Sequence, residues 1–336
     1  MLKAGFTYDL RSDYRALGLP EEDTAEFDSE STIAAIEAAL RKQGCDVVRI
    51  GHVRALTGRL ARGERWDFVF NFAEGLYGIA REAQVPALLE AHDIPYTFSD
   101  PLTMALSLDK PLTKRIVESI GVPTPAFAVV DNPEDAARIA LPYPLFAKPI
   151  AEGSGKGIGA RSRCENREQL LAECKRLRAR FAQPVLVEPY LPGREFTVGI
   201  LGTGDSAQIL GAIEVLPRQN AEAHAYGYEN KEFFESRIDY APVNDAQAIE
   251  AARIALMAHR ALRCRDASRV DLRCDARGAP QFLEINPISG LNPERSDLVF
   301  VARFAGLSYD DLIGRIVASC LERTPVLRSL KRAKTA

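Results

Sequence analysis

In the first hundred residues, short apolar runs take turns with stretches whose apolar residues recur every three or four positions: LKAGFTY, STIAAIEAALRKQG, CDVVRI, WDFVFNF, AQVPALLEAHD and IPYTFS. That succession leaves few folds open, because parallel strands can be joined only through a crossover, usually a helix. It predicts a parallel sheet with helices on its faces over residues 1–100, ending at Asp100-Pro101. Past the break, DKPLTKRIVESIG has a helical period and is stopped by Gly121 and Pro123. It opens a second α+β unit, 101–187, with AFAVV, a helix over DNPEDAARIA, the strand PLFAKPI, a glycine-rich turn, a helix over REQLLAECKRLRARF and the strand PVLVEPY. A third unit, 188–325, sets the strands EFTVGIL, AQILGAIEVL, SRVDLRCD and PQFLEIN beside the helices DAQAIEAARIALMAHRAL and YDDLIGRIVASCLER. The basic residues 326–336 are expected to form a frayed tail.

Three units suit 336 residues, and 46% hydrophobic with 26% charged residues is the balance of a globular protein. Lys and Arg number 43 against 46 Asp and Glu, a net charge of -3, so nothing draws the whole molecule to nucleic acid or anionic lipid. An anionic ligand must meet a local cluster of cations. No run approaches the roughly 18 apolar residues of a membrane helix, and Asp9 and Arg11 break the first apolar stretch too early for a signal-peptide core. The six cysteines form no C-x-x-C pair and have no His at zinc-ligand spacing, so reduced thiols and a cytoplasmic location are expected. His52, His92, His224 and His259 stand alone and receive no role.

Three groups of residues point to chemistry. The run Glu152–Ala160, EGSGKGIGA, lies between two strands, and its glycines let backbone N–H groups approach an anion closely. It is not a Walker A loop, whose first Gly would fall at Ile150 and whose Ser or Thr would fall at Gly157. Taken alone, the run suits a mobile hairpin tip equally well. Asp271, Glu284 and Asn286 form the second group. Glu284 and Asn286 are two apart in one strand and share a face, while Asp271 and Arg269 share a face of the preceding strand. Acidic groups in otherwise apolar strands need a cation. Oxygen ligands without His or Cys favour Mg²⁺ or Mn²⁺, although a solvated hairpin edge would hold the same residues. The third group is cationic: Lys110, Lys148 at the end of the apolar strand PLFAK, Lys231 and Arg269. Fixed cations, a glycine cradle and a metal site together are what a magnesium nucleotide requires.

The order of these motifs over nearly the whole chain resembles the ATP-grasp superfamily, in its D-alanine-D-alanine ligase-like branch. The resemblance rests on FNFAEG, QVPALLE, IPYTFSDPLTMALSLDKPLTKRI, FAKPIAEGSGKGI, VEPYLPGREFTVGIL and RVDLRCDARGAPQFLEINPISGL. It implies an α/β ATP-grasp fold with an N-terminal α/β domain, a central α+β lid domain and a C-terminal α+β catalytic domain. Lys110, Lys148 and Lys231 would contact the phosphates of ATP, and the loop from Glu152 through Gly153, Ser154, Gly155 and Lys156 to Gly157 would close over them. Glu188, Tyr190 and Leu191 would form the adenine hinge, and Glu195 would hold the ribose. Asp271, Glu284 and Asn286 would ligate two Mg²⁺ ions, with Mn²⁺ as the alternative. Arg269, Ser154 and the backbone at Gly290 would be the catalytic groups.

The implied reaction is ATP-dependent, ADP-forming ligation of a carboxylate to an amine or amino acid through an acyl phosphate, by a protein that is a homodimer in the family. Four departures bear on the substrates. The loop reads Ser154-Gly155 where the family has two serines, and Glu232 follows the loop lysine in place of a Tyr. Glu74 stands where the family has the His of L-H-G, and EINPISGLNPERSDL replaces E-I-N-T-x-P-G-M-T, with Ser296 as a displaced substitute. An N-terminal insertion leaves the amine-binding acid open among Glu26, Asp28 and Glu30, with Glu26 chosen. Two new acids beside the substrates favour a cationic group. The leading expectation is therefore a substrate pair other than two D-alanines. The close alternative is a true D-alanine-D-alanine ligase, and the alternative of another class is a catalytically silent nucleotide-binding module.

Overall fold

The computed structural model describes residues 1–222 and 224–324, and the tail expected at 326–336 lies outside the described residues. Three sheets order the chain. The first is parallel, with Leu2–Tyr8 between Cys45–Gly51 and Phe68–Phe72. Its first crossover is the helix Glu30–Lys42, started by Ser29, whose hydroxyl accepts from the Thr32 N–H. The fourth strand expected at IPYTFS is reduced to a single bridge, Val69 to Tyr96. Pro95 has no N–H to extend a ladder, and the chain turns at Phe98 with φ 70°.

The second sheet is antiparallel, in the order Ala128–Val130, Val185–Pro189, Leu145–Pro149, Arg163–Cys164. The helix Arg167–Phe181 covers it, capped by Asn166. The helix expected over DNPEDAARIA is a six-residue 3-10 turn, Pro133–Arg138. Pro133 starts it, but Leu141-Pro142 follows too soon for a second turn. The third sheet runs Ile238–Pro242, Gln208–Pro217, Glu195–Leu201, Ala267–Cys274, Pro280–Asn286, all antiparallel. Its first edge strand, Ile238–Pro242, and the helix Asp297–Phe304 were not expected.

Packing does not follow chain order. Val130, Leu145, Ala147, Leu170, Leu177 and Val187 make the second sheet's own core. The two helices between 101 and 119 pack elsewhere: Met104 joins the core of the first sheet, and Val117 joins the core beneath the third. The boundary expected at 101 therefore lies further along by packing, because Asp100 caps a helix of the first layer, accepting from Thr103 N–H at 3.0 Å. The last helix, Tyr309–Arg323, returns to the first unit and packs Ile313, Ile316 and Val317 against Ile33, Ile36 and Leu40. Truncating any of those isoleucines to Ala would cost about 2–5 kcal/mol. At its end Arg323 pairs at 2.9 Å with the fully buried Asp266, which also accepts from Phe98 N–H at 2.8 Å. The first and third units are thus one packed body, and the second sheet faces it across a cleft.

Candidate active site

The cleft between the second and third sheets encloses about 760 Å³ and adjoins a second cavity of about 1230 Å³, with Tyr226 and Lys231 in the wall of both. Its floor is set by strand register. Phe146 faces Glu188 across the antiparallel pair Leu145–Pro149 and Val185–Pro189, which brings Lys148 Nζ to 2.9 Å from Glu188. Lys114, fully buried on the helix Lys110–Ser119, approaches the same carboxylate at 2.5 Å. Burial works to raise the Glu188 pKa, but the two lysines outweigh it and hold the group ionised below its ordinary range. Burial and the neighbouring Lys148 charge bring Lys114 down to about 8 against the pull of Glu188. The Glu188 side chain expected at an adenine hinge is instead a buried counter-ion for two lysines. Pro189, Tyr190 and Leu191 still line the cleft beside Pro125, Phe146 and Ile158, an apolar slot suited to a flat base.

Arg273 was not expected, although the period of two that aligns Arg269 and Asp271 extends to it. It pairs with Glu195 at 3.2 Å and donates to the Tyr190 hydroxyl at 3.2 Å. The Tyr190 ring also lies near two guanidiniums, Arg163 at 4.7 Å and Arg273 at 5.2 Å.

At the junction of the two cavities Asp271 sits directly opposite Glu284, and Arg269 opposite Asn286. Glu284 and Asp271 line the cleft, whereas Asn286 and Arg269 line the second cavity. Burial would raise Glu284, but Lys110 at 3.3 Å, with Lys231, Lys148 and Arg269 beyond it, holds it far below the usual range. Asp271 accepts from Thr197 Oγ1 at 2.9 Å and Arg269 Nη2 at 3.0 Å; burial nevertheless raises its pKa. The Asn286 amide nitrogen is buried without a hydrogen-bond partner. No group of three or more His, Cys, Asp or Glu side chains suits a metal among the described residues. Two carboxylates and one amide oxygen fit a hard cation that keeps water or phosphate as its remaining ligands, as Mg²⁺ does.

Arg269 lies between two anions, Asp271 and the buried Asp297 at 3.5 Å, and its Nε–H has no partner. Gly290 faces the same cavity. A Cβ there would stand 2.8 Å from Ser296 Oγ, which accepts from the Asn292 N–H at 2.8 Å. Ser296 thus lines the second cavity at the N-cap of helix Asp297–Phe304.

The glycine loop is held shut over both cavities. Gly155, at φ 70°, accepts from Tyr228 N–H at 3.1 Å, and a Cβ on it would meet that nitrogen at 2.7 Å. Glu222 accepts from Ala160 N–H at 2.8 Å, a second link between the loop and the segment after Pro217. Gly153 and Ser154 face the second cavity, and Glu152 and Gly155 face the cleft. Lys110 donates to the Glu152 carbonyl at 2.7 Å.

Four assignments change. Lys156, expected at the phosphates, lines neither cavity; it is paired with Glu152 at 2.5 Å and Glu26 at 3.0 Å. Gly157 is likewise outside both cavities, packed against Phe181 and Pro149. Glu26, chosen as the amine-binding acid, has both oxygens engaged by Arg81, Lys156 and the Gly153 N–H, so it clamps the glycine loop to the first unit. Of its rivals, Glu30 pairs with Arg49, which leaves Asp28 as the one facing the cavity without an ion pair; burial pushes it up to about 6. Glu232 is not free for a substrate, because it lies between Arg11 at 3.8 Å and Arg295 at 3.6 Å. Glu74 lines the second cavity, with an unexpected neighbour in Glu82.

Of the isolated histidines, buried His259 bonds Ser268 at 2.7 Å and His52 caps a helix, while His224 meets the edge of the cleft, its ring 5.9 Å from that of Tyr190 and its carbonyl accepting from Arg273 at 2.9 Å. All six cysteines are free and buried. Among the described residues no helix is long and apolar enough to cross a membrane.

Comparison with known proteins bears on the family and the fold. The family model described as D-ala D-ala ligase C-terminus matches residues 116–318. The D-alanine-D-alanine ligase of Bordetella avium (strain 197N) is 35% identical over 301 residues, which cover 87% of this chain and 90% of that protein. Among solved structures, D-alanine-D-alanine ligase from Bacillus anthracis complexed with ATP superposes with a TM-score of 0.71 at 22% identity, covering 98% of this chain and 99% of the other. VanG D-Ala:D-Ser ligase from Enterococcus faecalis gives a TM-score of 0.72 at 18% identity, covering 95% and 99%.

Proposed function

This chain belongs to the D-alanine-D-alanine ligase family of ATP-grasp proteins and is an ATP-dependent, ADP-forming ligase, and on that premise we propose that it joins two small amino-acid substrates other than a pair of D-alanines through an acyl phosphate. The observation that carries the reading is the convergence of Lys148, Lys231, Asp271 and Glu284 on a nucleotide-sized cleft that shares Lys231 with a polar cavity, while Lys110, which lines neither, backs Glu284 at 3.3 Å. A γ-phosphate placed there touches both compartments.

Magnesium, taken as two ions as in the family and held by Asp271, Glu284 and Asn286, would neutralise phosphate charge and orient the transferred group. The chain's own groups do the rest. Lys148 and Lys231 offset the phosphate charge as the donor carboxylate attacks the γ-phosphorus and ADP departs with the bridging oxygen. The acceptor amine then adds to the carbonyl of the mixed anhydride, gives up a proton and expels inorganic phosphate. Arg269, whose Nε–H has no partner among the described residues, donates to the developing oxyanion together with the backbone near Gly290. The unpaired donor costs less in a site awaiting an anion than elsewhere. The clamp of Glu26 on Gly153 and the Tyr228 to Gly155 bond exclude water, which would otherwise hydrolyse the acyl phosphate.

A different substrate pair is supported by Glu74 and Glu82, two acids that line the cavity. We assign the protein a homodimer, the central sheet as lid, and no nucleic-acid partner by the same resemblance. The test is phosphate release with ATP and Mg²⁺ across a matrix of D- and L-amino acids, small amines and carboxylates, with mass spectrometry of the products. Turnover with a pair other than D-alanine establishes the proposal; turnover with D-alanine alone restores the reading that the relatives' names favour. ADP formation with no pair would leave the silent nucleotide-binding module.

A further inference from the structure

The reaction leaves one part of the second cavity without a task. Glu74 follows the strand Phe68–Phe72, and Glu82 lies in the short 3-10 turn Arg81–Ala83. Both line the cavity as near neighbours, each close enough for its charge to act on the other. Glu82 is 8% exposed and makes no ion pair among the described residues. Every cation near the pair is engaged elsewhere. Arg81 is held by Glu26 and the Ala151 carbonyl, Lys110 by Glu284 and the Glu152 carbonyl, and Lys156 by Glu26 and Glu152.

Two buried carboxyls side by side resist ionising together unless a cation joins them. The pair therefore keeps a proton in the free protein. Burial pushes Glu82 up to about 7 and Glu74 well above its ordinary value; Glu26 and Asp28 add repulsion, and Arg81 and Lys110 oppose it. A protonated pair is a poor match for a carboxylate substrate, for which the same cavity offers Arg269 and Arg295. It is a good match for a group that brings its own positive charge and several N–H donors.

Resting on the ligase reading above, we propose that the Glu74–Glu82 pair recognises an alkylammonium group of the amino-acid substrate. On binding, the ammonium supplies the counter-charge that the chain withholds, both carboxyls ionise, and the pair's proton leaves to solvent. The ammonium has two sources, the α-amine of a simple amino acid or the side-chain amine of a diamino acid.

The experiment is calorimetric titration of the full chain, saturated with Mg²⁺ and the β,γ-imido analogue of ATP, at pH 7 in two buffers of different ionisation heat. The probes are both enantiomers of alanine and of 2,4-diaminobutyrate, with lactate as the amine-free control. Binding is expected to release about one proton, and Glu82→Gln should weaken it roughly tenfold or more and abolish the release. Retained binding of the ATP analogue shows that the variant is folded, and Glu74→Gln repeats the test from the other side. Loss for alanine assigns the α-amine; loss confined to diaminobutyrate assigns the side chain. Equal affinity and equal proton release in wild type and variants, or no binding of any of the four amines, overturns the proposal. Proton-linked binding without product in the ligation assay would leave the pair's role standing and sink the ligase reading instead.

Discussion

The cleft and the cavity share Tyr226 and Lys231, yet they handle charge in opposite ways. In the cleft the charges answer one another within the chain. Glu188 has Lys114 and Lys148, and Arg273 has Glu195. These groups, Lys114 aside, ride on strands, where register fixes direction to a fraction of an ångström. In the cavity most charges come from loops and short turns of the first and third units, and among the described residues Asp28, Glu74 and Glu82 make no ion pair. A site whose charges are already paired is preorganised for one ligand, the nucleotide. A site that leaves acids unpaired waits for a ligand to complete it, and loops can change that demand without disturbing the sheet.

The sharpest way to break this contrast is at the wall between the two. Glu284→Ala should cut ATP-dependent turnover about 10²–10³-fold, equivalent to about 3–4 kcal/mol of transition-state stabilisation, while thermal unfolding stays close to wild type. Unchanged turnover would remove the metal assignment and with it the idea that one wall serves both compartments.

Glu188→Gln tests whether the cleft's pairing is structural. It leaves Lys114 and Lys148 buried without an anion, and breaking such a pair costs about 3 kcal/mol, the lower figure because Lys114, already down to about 8, can shed its proton. Denaturant unfolding at pH 7 reads this directly. Stability within a few tenths of wild type would mean that the lysines find solvent, and that the cleft is no more self-contained than the cavity.

What the amino-acid sequence made legible divides along the same line. Arg269, Asp271, Glu284 and Asn286 could be placed on shared faces because a strand has a period of two, and Arg273 fell in the same period and could have been found with them. The role of Glu188 was hidden because its partner Lys114 comes from a helix 74 positions away. In the cavity no period applies. Glu26, Asp28 and Glu30 differ only in which way a loop turns them, and Glu82 sits in a 3-10 turn where neither the helical nor the strand rule says what it faces. The same logic explains the fold. Long capped helices such as Arg167–Phe181 were readable, whereas the turn Pro133–Arg138 and the edge strand Ile238–Pro242 depend on neighbours far along the chain.

The unpaired acids of the cavity also leave a signature in stability against pH. A carboxyl whose folded pKa is raised, as for Glu82 at about 7 against 4.5, adds no penalty below about 4.5, where both folded and unfolded states hold the proton. Between about 4.5 and 7 the unfolded chain is ionised while the folded one still holds the proton, so stability falls across that window by about 1–3 kcal/mol. Glu82→Gln should flatten that fall in the ligand-free protein. An unchanged slope would mean that the pair is already neutralised, and the contrast with the cleft would be lost.

The smallest effect is expected at Glu232, where the cavity does contain paired charge. Its contacts with Arg11 and Arg295 are long, at 3.8 and 3.6 Å, and the three side chains are between a fifth and two-fifths exposed, so together they contribute about 0.2–1 kcal/mol and weaken with salt. They join the short helix Tyr228–Glu232 to Arg11 of the first unit and Arg295 of the third, so their loss acts on closure rather than on chemistry. Glu232→Gln should raise KM for the amino-acid substrates two- to fivefold and increase ATP hydrolysis uncoupled from product, with little change in kcat. Added salt should bring wild type towards the variant and leave the variant unmoved. A variant that changes its substrate profile instead would place Glu232 against the ligand, and would make even this paired corner of the cavity part of substrate recognition.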